Sequence, residues 1–478
     1  MKNHSRYKLQ ILLLLLVSIT CLSYYHRFPT GDDAWFAEQS YWLEKEGIIR
    51  SEYFRGIVGW ENQLLVSHKL FLALGAVLIH FFGSELPVLK FTGLLFFIIL
   101  VGQIIFYVNT RKQELTHPAL YLLGILILVF SNRLIVKMSF ENRPEMMLAA
   151  LGFGCFLLLN KSEEQPWKVA GAATLAGLAF LTHLNGSVYM IAGITTLLYF
   201  RRYQDMVRFG LIGGLVCSAY LIDILMVENG FSLWWFQFRN DPATQTAMGL
   251  GSKLIQLLTY PRLFFHSPEE IAASLLLVFL LGYQRHRLAQ LPALLRIFSL
   301  SLFFSFWLIT KANSGLYQLL FLPFILVLIM ELYAIRPFLN RSLKVVVGIY
   351  LIIGIYGTGE IIYRNLSNEY VPNLYQQIGN RLPQDEVGVV PLTFFFNEYD
   401  EYSRLLTHEN YKLYAKKKNM SAQKFSEWSW KKGANFIVMD YLFNKETFYP
   451  KPGTPRIPYF KLVFFNGRFA IYRRASDA

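Results

Sequence analysis

The sequence is divided into long apolar runs separated by short charged segments. The runs measure about 17 to 22 residues, the length that a helix needs to cross a hydrocarbon core of about 30 Å. Hydrophobic residues make up 54% of the 478 residues and aromatic residues 16%, whereas soluble domains are only about 45 to 50% apolar. We therefore predict an α-helical polytopic membrane protein.

The chain carries a formal net charge of +14 at pH 7, and the placement of the positive residues explains it. Lys and Arg occur at the N-terminus and then mostly in every second connection between apolar runs. This alternation is typical of loops that stay on the cytoplasmic side of a membrane. Nucleic-acid binding does not explain it, so we expect a lipid bilayer and no nucleic acid as a partner.

With the N-terminus cytoplasmic, the pattern predicts about eleven spans in the inner (plasma) membrane and a C-terminus outside. The first run, about residues 9 to 25, lacks a small-residue cleavage site, so we expect an uncleaved anchor. Residues 63–82 contain three basic or histidine side chains, which favours a helix at the outer interface. If they cross the membrane, every later assignment reverses. The predicted spans are centred near residues 17, 98, 125, 150, 176, 192, 217, 276, 301, 325 and 353.

Two long connections lie on the predicted outer side, roughly residues 26–86 and 228–267, and long loops usually carry function. After about Tyr363 polar residues return and apolar runs shorten to strand length. We predict a transmembrane catalytic domain over residues 1–363 and a small extracytoplasmic α/β domain over residues 364–478. In the second domain we expect helices near 374–382 and 422–432, strands at EVGVV and NFIVMD, and a KLVFF-NG-RFAIY hairpin with a type I′ turn.

Charged side chains gather at the predicted outer ends of the spans. Such residues are functional candidates because charge in or beside a membrane is costly. Arg, Lys and His can bind a phosphate, and a carboxylate can accept a proton from a hydroxyl, so a lipid phosphate fits as substrate. The candidates are Asp32, Asp33, Glu38, His68, Lys137, Glu141, Arg143, Glu145, His183, Asn185, Glu228, Arg239, Asp241 and Lys311.

Each candidate also has a simpler structural explanation. An isolated Asp-Asp beside Gly31 is more often a solvated turn or a helix N-cap than a catalytic base. Arg143 and Glu145 could form only an interfacial ion pair, worth about 0 to 1 kcal/mol if exposed. His183 alone is more often a packing residue than a ligand. Only the prediction that all of these residues lie on the same face of the membrane favours a functional role for them.

Cysteine and metal-ligand patterns add little. Cys21, Cys155 and Cys217 lie in apolar runs, where cysteine behaves as a small hydrophobic residue. The sequence contains no Cys/His cluster, and no group of acidic residues has the spacing of a metal-binding motif. It therefore indicates no definite cofactor and leaves a divalent metal open.

Several motifs resemble a known family. Asp32-Asp-Ala-Trp-Phe-Ala-Glu38 is similar to the start of the first outer loop in GT-C membrane glycosyltransferases of the protein O-mannosyltransferase-like group (family 39), which includes the aminoarabinose transferase of lipid A. Asn142-Arg-Pro-Glu-Met-Met147, the segment 177–186, and Lys311 with Tyr317 to Pro323 resemble later family segments. The Lys/His-Pro-Pro-Leu element of the family is absent, and residues 59–65 stand in its place.

The resemblance implies a hexosyl- or pentosyltransferase that uses a polyprenyl-phosphate sugar donor. The acceptor would be a hydroxyl of an extracytoplasmic glycan, lipid or protein, with inversion at the anomeric carbon. Asp32 is then the expected base, with Asp33 second. The donor phosphate would be bound by Arg143, Lys311, His183 and, in place of the missing element, His68. Supporting roles fall to Glu38, Glu145, Asn185, Arg239, Asp241 and Tyr317.

Two other classes fit a polytopic protein of this kind. A transporter or flippase for a lipid-linked envelope precursor would place its ionisable residues near the bilayer midplane, whereas these lie at predicted outer ends. A scaffold for envelope assembly would need no reactive cluster, and Asp32 would then lie far from Arg143 and Lys311.

Overall fold

The computed structural model describes residues 2–22, 24, 29–161, 165–242, 249–310, 315–337, 340–367, 369–396, 404–415, 420–442 and 446–475. Helices dominate, and each of the eleven predicted span centres falls inside one. The helices are α1 (Lys2–Leu22), α2 (Gly31–Glu46), α3 (Lys69–Phe82), α4 (Leu86–Thr110), α5 (Pro118–Phe130), α6 (Arg133–Met138), α7 (Pro144–Asn160), α8 (Trp167–Thr182), α9 (Ser187–Tyr199), α10 (Tyr203–Ser218), α11 (Ile222–Met226), α12 (Gly230–Asn240), α13 (Leu250–Thr259), α14 (Pro268–Tyr283), α15 (Ala293–Ile309), α16 (Leu322–Ile335), α17 (Arg341–Ser367), α18 (Val371–Gly379), α19 (His408–Tyr414) and α20 (Ala422–Lys431).

Three helical segments among the described residues are long and apolar enough to cross a membrane by themselves. They are α4, the segment Tyr203–Met226 that includes α10, and the segment that begins with α17. A fourth candidate is the pair Gly251–Leu263 and Pro268–Tyr283, which bend by 88° relative to each other. The other apolar helices are shorter, so the number of eleven spans stays a prediction.

The first long connection is itself folded. Helix α2 begins at a capping box, in which the Thr30 side chain accepts from the Asp33 N–H and the Asp33 side chain accepts from the Thr30 N–H. It ends at Gly47, whose positive φ of 74° suits a residue without Cβ. The helix predicted within residues 63–82 is present as α3, which starts at Lys69.

A close backbone approach fixes the turn between α6 and α7 against α4. A Cβ added at Gly93 would lie 2.8 Å from the Glu141 carbonyl oxygen and 3.0 Å from that of Met138. Because only glycine leaves this space, α4 can lie directly on the turn. Asn142 and Arg143 follow that turn and lead into α7, so the approach sets their position.

The C-terminal region forms a six-stranded mixed sheet in the order β2-β1-β3-β6-β5-β4. Strand β1 pairs in parallel with β2 and β3, and the remaining pairs are antiparallel. The strands EVGVV and NFIVMD, the helix near 422–432 and the hairpin are confirmed, whereas the helix expected at 374–382 runs from Val371 to Gly379. The strands are β1 (Val387–Val390), β2 (Arg404–Thr407), β3 (Phe436–Asp440), β4 (Arg456–Ile457), β5 (Phe460–Phe465) and β6 (Phe469–Arg474).

The type I′ turn predicted for the β5–β6 hairpin is wrong. Gly467 has a φ of 89°, but Asn466 is not among the residues with positive φ, and a type I′ turn needs positive φ at both central residues. The Asn466 side chain instead accepts from the N–H groups of Arg468 at 3.1 Å and Phe469 at 2.7 Å. This side-chain turn closes the hairpin in its place.

The sheet contacts the first long connection through the residues that follow β2. Thr407 Oγ1 donates to the Tyr53 carbonyl at 3.2 Å. Asn410 Nδ2 donates to the carbonyls of Tyr53 at 3.2 Å and Arg55 at 3.0 Å. These hydrogen bonds hold the carboxyl end of β2 beside the first long connection. The domain boundary at residue 363 stays a prediction.

Candidate active site

Asp33 is held entirely inside the protein, with no exposed surface. Its Oδ2 accepts from the Thr30 N–H at 2.7 Å, and its Oδ1 accepts from the Asn142 N–H at 2.6 Å. Lys90 Nζ lies 3.7 Å from Oδ2 and is also buried. Asn142 Nδ2 in turn donates to the Asp33 carbonyl at 3.0 Å. Asp33 therefore ties the start of α2 to α4 and to the turn before α7.

Asp32 differs from its neighbour, because its side chain is 50% exposed. Its carboxylate accepts a hydrogen bond from Arg143 Nη1. The other edge of the same guanidinium donates to the buried Glu145, from Nη2 at 2.7 Å and from Nε at 3.1 Å. The structure thus brings together three predicted site residues, with Arg143 bridging an exposed and a buried carboxylate.

Two predicted histidines stack beside this cluster. The rings of His68 and His183 have centroids 4.5 Å apart and an interplanar angle of 20°. Burial lowers the pKa of His68 to about 3 and that of His183 to about 4, so both rings are neutral at pH 7. Since His183 Nδ1 accepts from the Asn185 N–H at 2.9 Å, its proton lies on Nε2, 3.5 Å from the Tyr317 hydroxyl.

Tyr317 and Asn185 complete this side of the site. Burial raises the pKa of Tyr317 to about 12, and Glu145, Arg143 and Asp241 are near enough to contribute to its electrostatic environment. The buried Asn185 follows His183 in the chain, and its backbone N–H donates to the ring of that histidine. The site therefore offers one guanidinium and neutral N–H and O–H donors beside an exposed carboxylate, a combination suited to binding a phosphate.

Glu38 lies deeper in the first connection and has no exposed surface. It accepts from Ser51 Oγ at 2.5 Å, Trp42 Nε1 at 3.2 Å and the N–H groups of Glu52 and Tyr53 at 2.7 and 3.0 Å. Burial nevertheless raises its pKa to about 7. These contacts fix residues 51–53 to α2, so Glu38 holds the first long connection together, and its supporting role in the site stays a prediction.

The remaining predicted residues are placed as follows. Glu228 is exposed in the short segment between α11 and α12. Lys137 Nζ lies 3.8 Å from Glu141 Oε1, at the turn that contacts α4. Arg239 is exposed in the last turn of α12, and Asp241 follows that helix. Lys311 lies outside the described residues.

Lys90 and Asn142 are site residues that the sequence interpretation did not identify as such. Lys90 is a lysine within an apolar run, and that signal alone marks it as a candidate. Asn142 lies in a motif that resembles the family. Its hydrogen bonds to Asp33 could not be predicted, because the two residues are far apart in the chain. Among the described residues, no group of three or more His, Cys, Asp or Glu side chains is arranged to hold a metal ion.

No protein-family model matches the sequence, and no curated protein matches it. Solved structures do match over the whole chain. ArnT from Cupriavidus metallidurans, an aminoarabinose transferase, superposes with a TM-score of 0.60 at 13% identity and covers 99% of both chains. The chain has the GT-C fold. A second structure of the same protein, bound to undecaprenyl phosphate, gives a TM-score of 0.59 at 13% identity over 98% of both chains.

A more distant GT-C glycosyltransferase shares part of the architecture. The oligosaccharyltransferase of Archaeoglobus fulgidus, tethered to an acceptor peptide, matches with a TM-score of 0.50 at 12% identity. The match covers 90% of this chain and 69% of that one. The predicted α-helical class with a small C-terminal α/β region is confirmed by the match to ArnT, and the expected family likeness is confirmed at the level of the fold.

Proposed function

We propose that this protein is an inverting membrane glycosyltransferase. It transfers a sugar from a polyprenyl-phosphate donor to a hydroxyl of an extracytoplasmic glycan, lipid or protein. The observation that carries the proposal is the contact between the exposed Asp32 carboxylate and Arg143, beside His68, His183 and Tyr317. The GT-C fold adds weight, since ArnT of that fold binds undecaprenyl phosphate.

The proposed reaction needs a base on one side of the anomeric carbon and cations on the other. The acceptor oxygen bonds to the anomeric carbon as the bond from that carbon to the phosphate oxygen breaks. The acceptor proton passes to Asp32, and the polyprenyl phosphate leaves with the bonding electrons. Negative charge grows on the leaving phosphate, where Arg143 and the N–H of His183 stabilise it.

Asp32 fits the base better than Asp33 because a base must reach a substrate proton. Asp33 is buried and accepts from two backbone N–H groups, with Lys90 beside it. Asp32 is half exposed and has the side chain of Arg143 as its partner. We therefore assign Asp33 to positioning α2 and Asp32 to the proton transfer.

The contact of Asp32 with Arg143 also suggests an order of binding. A carboxylate held by a guanidinium is a weak base. A donor phosphate that takes over Arg143 Nη1 releases Asp32, while the two bonds to Glu145 keep the guanidinium in place. We propose that donor binding therefore prepares the base for the acceptor. Lys311, outside the described residues, remains a proposed second cation for the phosphate.

The two competing classes fit these contacts less well. A scaffold requires no contact between Asp32 and Arg143, and that contact is present. Ionisable groups near the bilayer midplane would favour a flippase, whereas the Asp32 cluster lies at helix ends, close to the C-terminal sheet. We propose the topology that follows, with a cytoplasmic N-terminus and an extracytoplasmic C-terminal domain in the inner membrane.

The direct test is the consumption of a labelled donor. Purified protein in nanodiscs is incubated with a panel of radiolabelled polyprenyl-phosphate hexoses and pentoses, together with envelope membranes as a supply of acceptor. We expect one donor to be consumed, with appearance of free polyprenyl phosphate and an inverted glycosidic bond. In sealed proteoliposomes, movement of the intact donor across the bilayer without release of polyprenyl phosphate would support the flippase instead.

A further inference from the structure

Four exposed cations lie together on one face of the C-terminal sheet, outside the candidate active site. Three of them stand on neighbouring strands. Arg456 of β4 is directly opposite Lys461 of β5, which is in turn opposite Arg473 of β6. Residues paired in this way point to the same face of a sheet. Together with Arg381, which is also exposed, they form a surface that we name the basic face.

The fourth cation, Arg381, follows α18 and lies on the same face. Its carbonyl oxygen accepts from Arg473 Nη2 at 3.3 Å. Its guanidinium carbon lies 4.4 Å from the ring centroid of Phe464 in β5. Phe464 is paired with Ile471, which is two residues from Arg473 and so faces the same side of the sheet. The basic face is therefore continuous from β4 to the segment after α18.

The basic face lacks acidic partners. Among the described residues, no carboxylate forms an ion pair with any of its four cations. Asp385 and Glu386 stand at the same end of the sheet, but they precede β1, and β3 lies between β1 and β6. Like charges directly opposite each other destabilise a sheet. The basic face therefore costs the sheet stability unless an anion covers it.

Protection of a sheet edge does not explain this arrangement. Charged side chains, and Lys above all, often keep an edge strand from pairing with another chain. That explains Arg456, because β4 is an edge strand. It does not explain Lys461 and Arg473, since these residues are paired on both sides. The positive-inside rule does not explain them either, because the proposed topology puts the sheet outside the membrane.

The position of the basic face argues against the bilayer as its partner. β6 runs antiparallel to β3, so Arg473 is opposite Phe436 at the beginning of β3. The parallel strands meet the helices with their other end, where Leu392, just after β1, lies beside Gly31 of α2. The basic face therefore lies at the end of the sheet that is remote from this helix.

The make-up of the basic face favours a charged polymer over a folded protein. Protein interfaces are built around buried aromatic or apolar anchors and are depleted in Lys. Here the aromatic side chain among the cations, Phe464, is half-buried, and the guanidinium of Arg381 covers its ring. Arginine binds carboxylate and phosphate groups in a bidentate way. A row of cations across three strands therefore fits a chain that carries such groups at intervals.

We propose that the basic face binds an anionic polysaccharide of the cell envelope, a linear chain that carries carboxylate or phosphate groups. The proposal goes beyond the proposed glycosyl transfer and does not depend on it, because the basic face includes none of the candidate active-site residues. Such binding would keep the protein beside the envelope polymer.

The test measures the binding of fluorescent polymers to the full-length protein in nanodiscs of zwitterionic lipid. Polygalacturonate carries carboxylates, phosphorylated dextran carries phosphates, and plain dextran carries neither. We expect fluorescence anisotropy to show binding of at least one anionic chain, weakened by added salt, and no binding of plain dextran. Failure to bind either anionic chain would overturn the proposal. The assay contains no sugar donor, so its result is separate from the test of glycosyl transfer.

A triple variant, Arg456→Gln with Lys461→Gln and Arg473→Gln, removes the row of charges. We expect it to bind the anionic chain about tenfold more weakly than the wild type. Its thermal midpoint should not fall, because the substitutions also remove like charges that oppose each other. If the triple variant does not fold, Lys461→Gln alone should bind about threefold more weakly. Unchanged binding in the folded variant would contradict the proposal.

A control variant removes the same number of charges elsewhere in the C-terminal region. It carries Lys424→Gln, Lys431→Gln and Lys451→Gln, all at exposed positions, and we expect it to bind as the wild type does. Equal losses in the two triple variants would show that net charge alone decides binding, and would overturn the proposal. Tighter binding of poly-glutamate, or of phosphatidylglycerol vesicles, than of either anionic glycan would overturn it in favour of an acidic protein or a lipid surface.

Discussion

Two arginines at opposite ends of the helices form nearly the same cluster. Arg143 donates two hydrogen bonds to the buried Glu145 and a third to the exposed Asp32. Arg111 donates from Nε at 3.0 Å and Nη2 at 3.2 Å to the buried Glu331, and from Nη1 to the exposed Glu114. An arginine that bridges two carboxylates is therefore not by itself evidence of a reactive site.

The surroundings of the two arginines distinguish them. Glu331 is also bonded by the Tyr107 hydroxyl at 2.8 Å, so the Arg111 cluster links α4 to α16. The Arg143 cluster lies beside two stacked histidines and Tyr317, and Thr30 and Gly31, next to Asp32, line a cavity of about 680 Å³. We infer that the Arg111 cluster serves stability and the Arg143 cluster serves chemistry.

Replacing the arginine and its buried glutamate in each cluster should distinguish these two roles most strongly. In Arg143→Gln with Glu145→Gln no buried charge is left without its partner, and we expect donor consumption to fall by about 10² to 10³-fold. Arg111→Gln with Glu331→Gln should consume donor at close to the wild-type rate per folded molecule. The rates are measured on protein purified by size exclusion. Equal losses in the two double variants would remove the distinction.

Lys90 tests whether the buried ion pair beside Asp32 is structural. Lys90→Met leaves the buried Asp33 carboxylate without a positively charged neighbour. Breaking a buried ion pair typically lowers the free energy of unfolding by about 3 to 5 kcal/mol. We expect a clear fall in the thermal midpoint in nanodiscs and partial recovery when Asp33→Asn is added. The exposed Lys112→Met serves as the control. A Lys90→Met protein as stable as this control would contradict the role assigned to the pair.

Glu38 should make stability depend on pH. Burial raises its folded-state pKa to about 7 from the ordinary 4.5, so the folded protein holds this proton more tightly than the unfolded chain. The contribution is complete below pH 4.5 and is lost as pH rises to about 7, a change of about 3 kcal/mol. Unfolding at several pH values should show a flatter dependence in Glu38→Gln than in the wild type or in the exposed Glu85→Gln. Identical slopes would exclude Glu38 as the source.

The smallest effect is expected at the exposed partner of Arg111. The Glu114 side chain is 59% exposed, and surface ion pairs contribute about 0 to 1 kcal/mol. Glu114→Gln should therefore change neither the thermal midpoint nor donor consumption appreciably. A large loss of activity in this variant would show that the two ends of the protein are coupled.

Hydropathy, charge and motifs predicted much of this architecture. The period and length of apolar runs placed helices correctly, and Asn466-Gly467 marked the hairpin. The turn type was missed because the Asn466 side chain closes the turn, and of Asn466 and Gly467 only Gly467 has left-handed backbone. The motifs indicated Asp32, Arg143 and Glu145, but not how Asp32 differs from Asp33. That difference depends on Asn142 and Lys90, which reach Asp33 only through tertiary packing.

The most direct measurement compares the two neighbouring aspartates. Asp32→Asn should retain the wild-type protein level and thermal midpoint while losing about 10² to 10⁴-fold in sugar transfer. Asp33→Asn should instead lower the amount of folded protein, and the folded molecules should keep much of their rate. Full transfer activity in Asp32→Asn at the wild-type protein level would contradict the account.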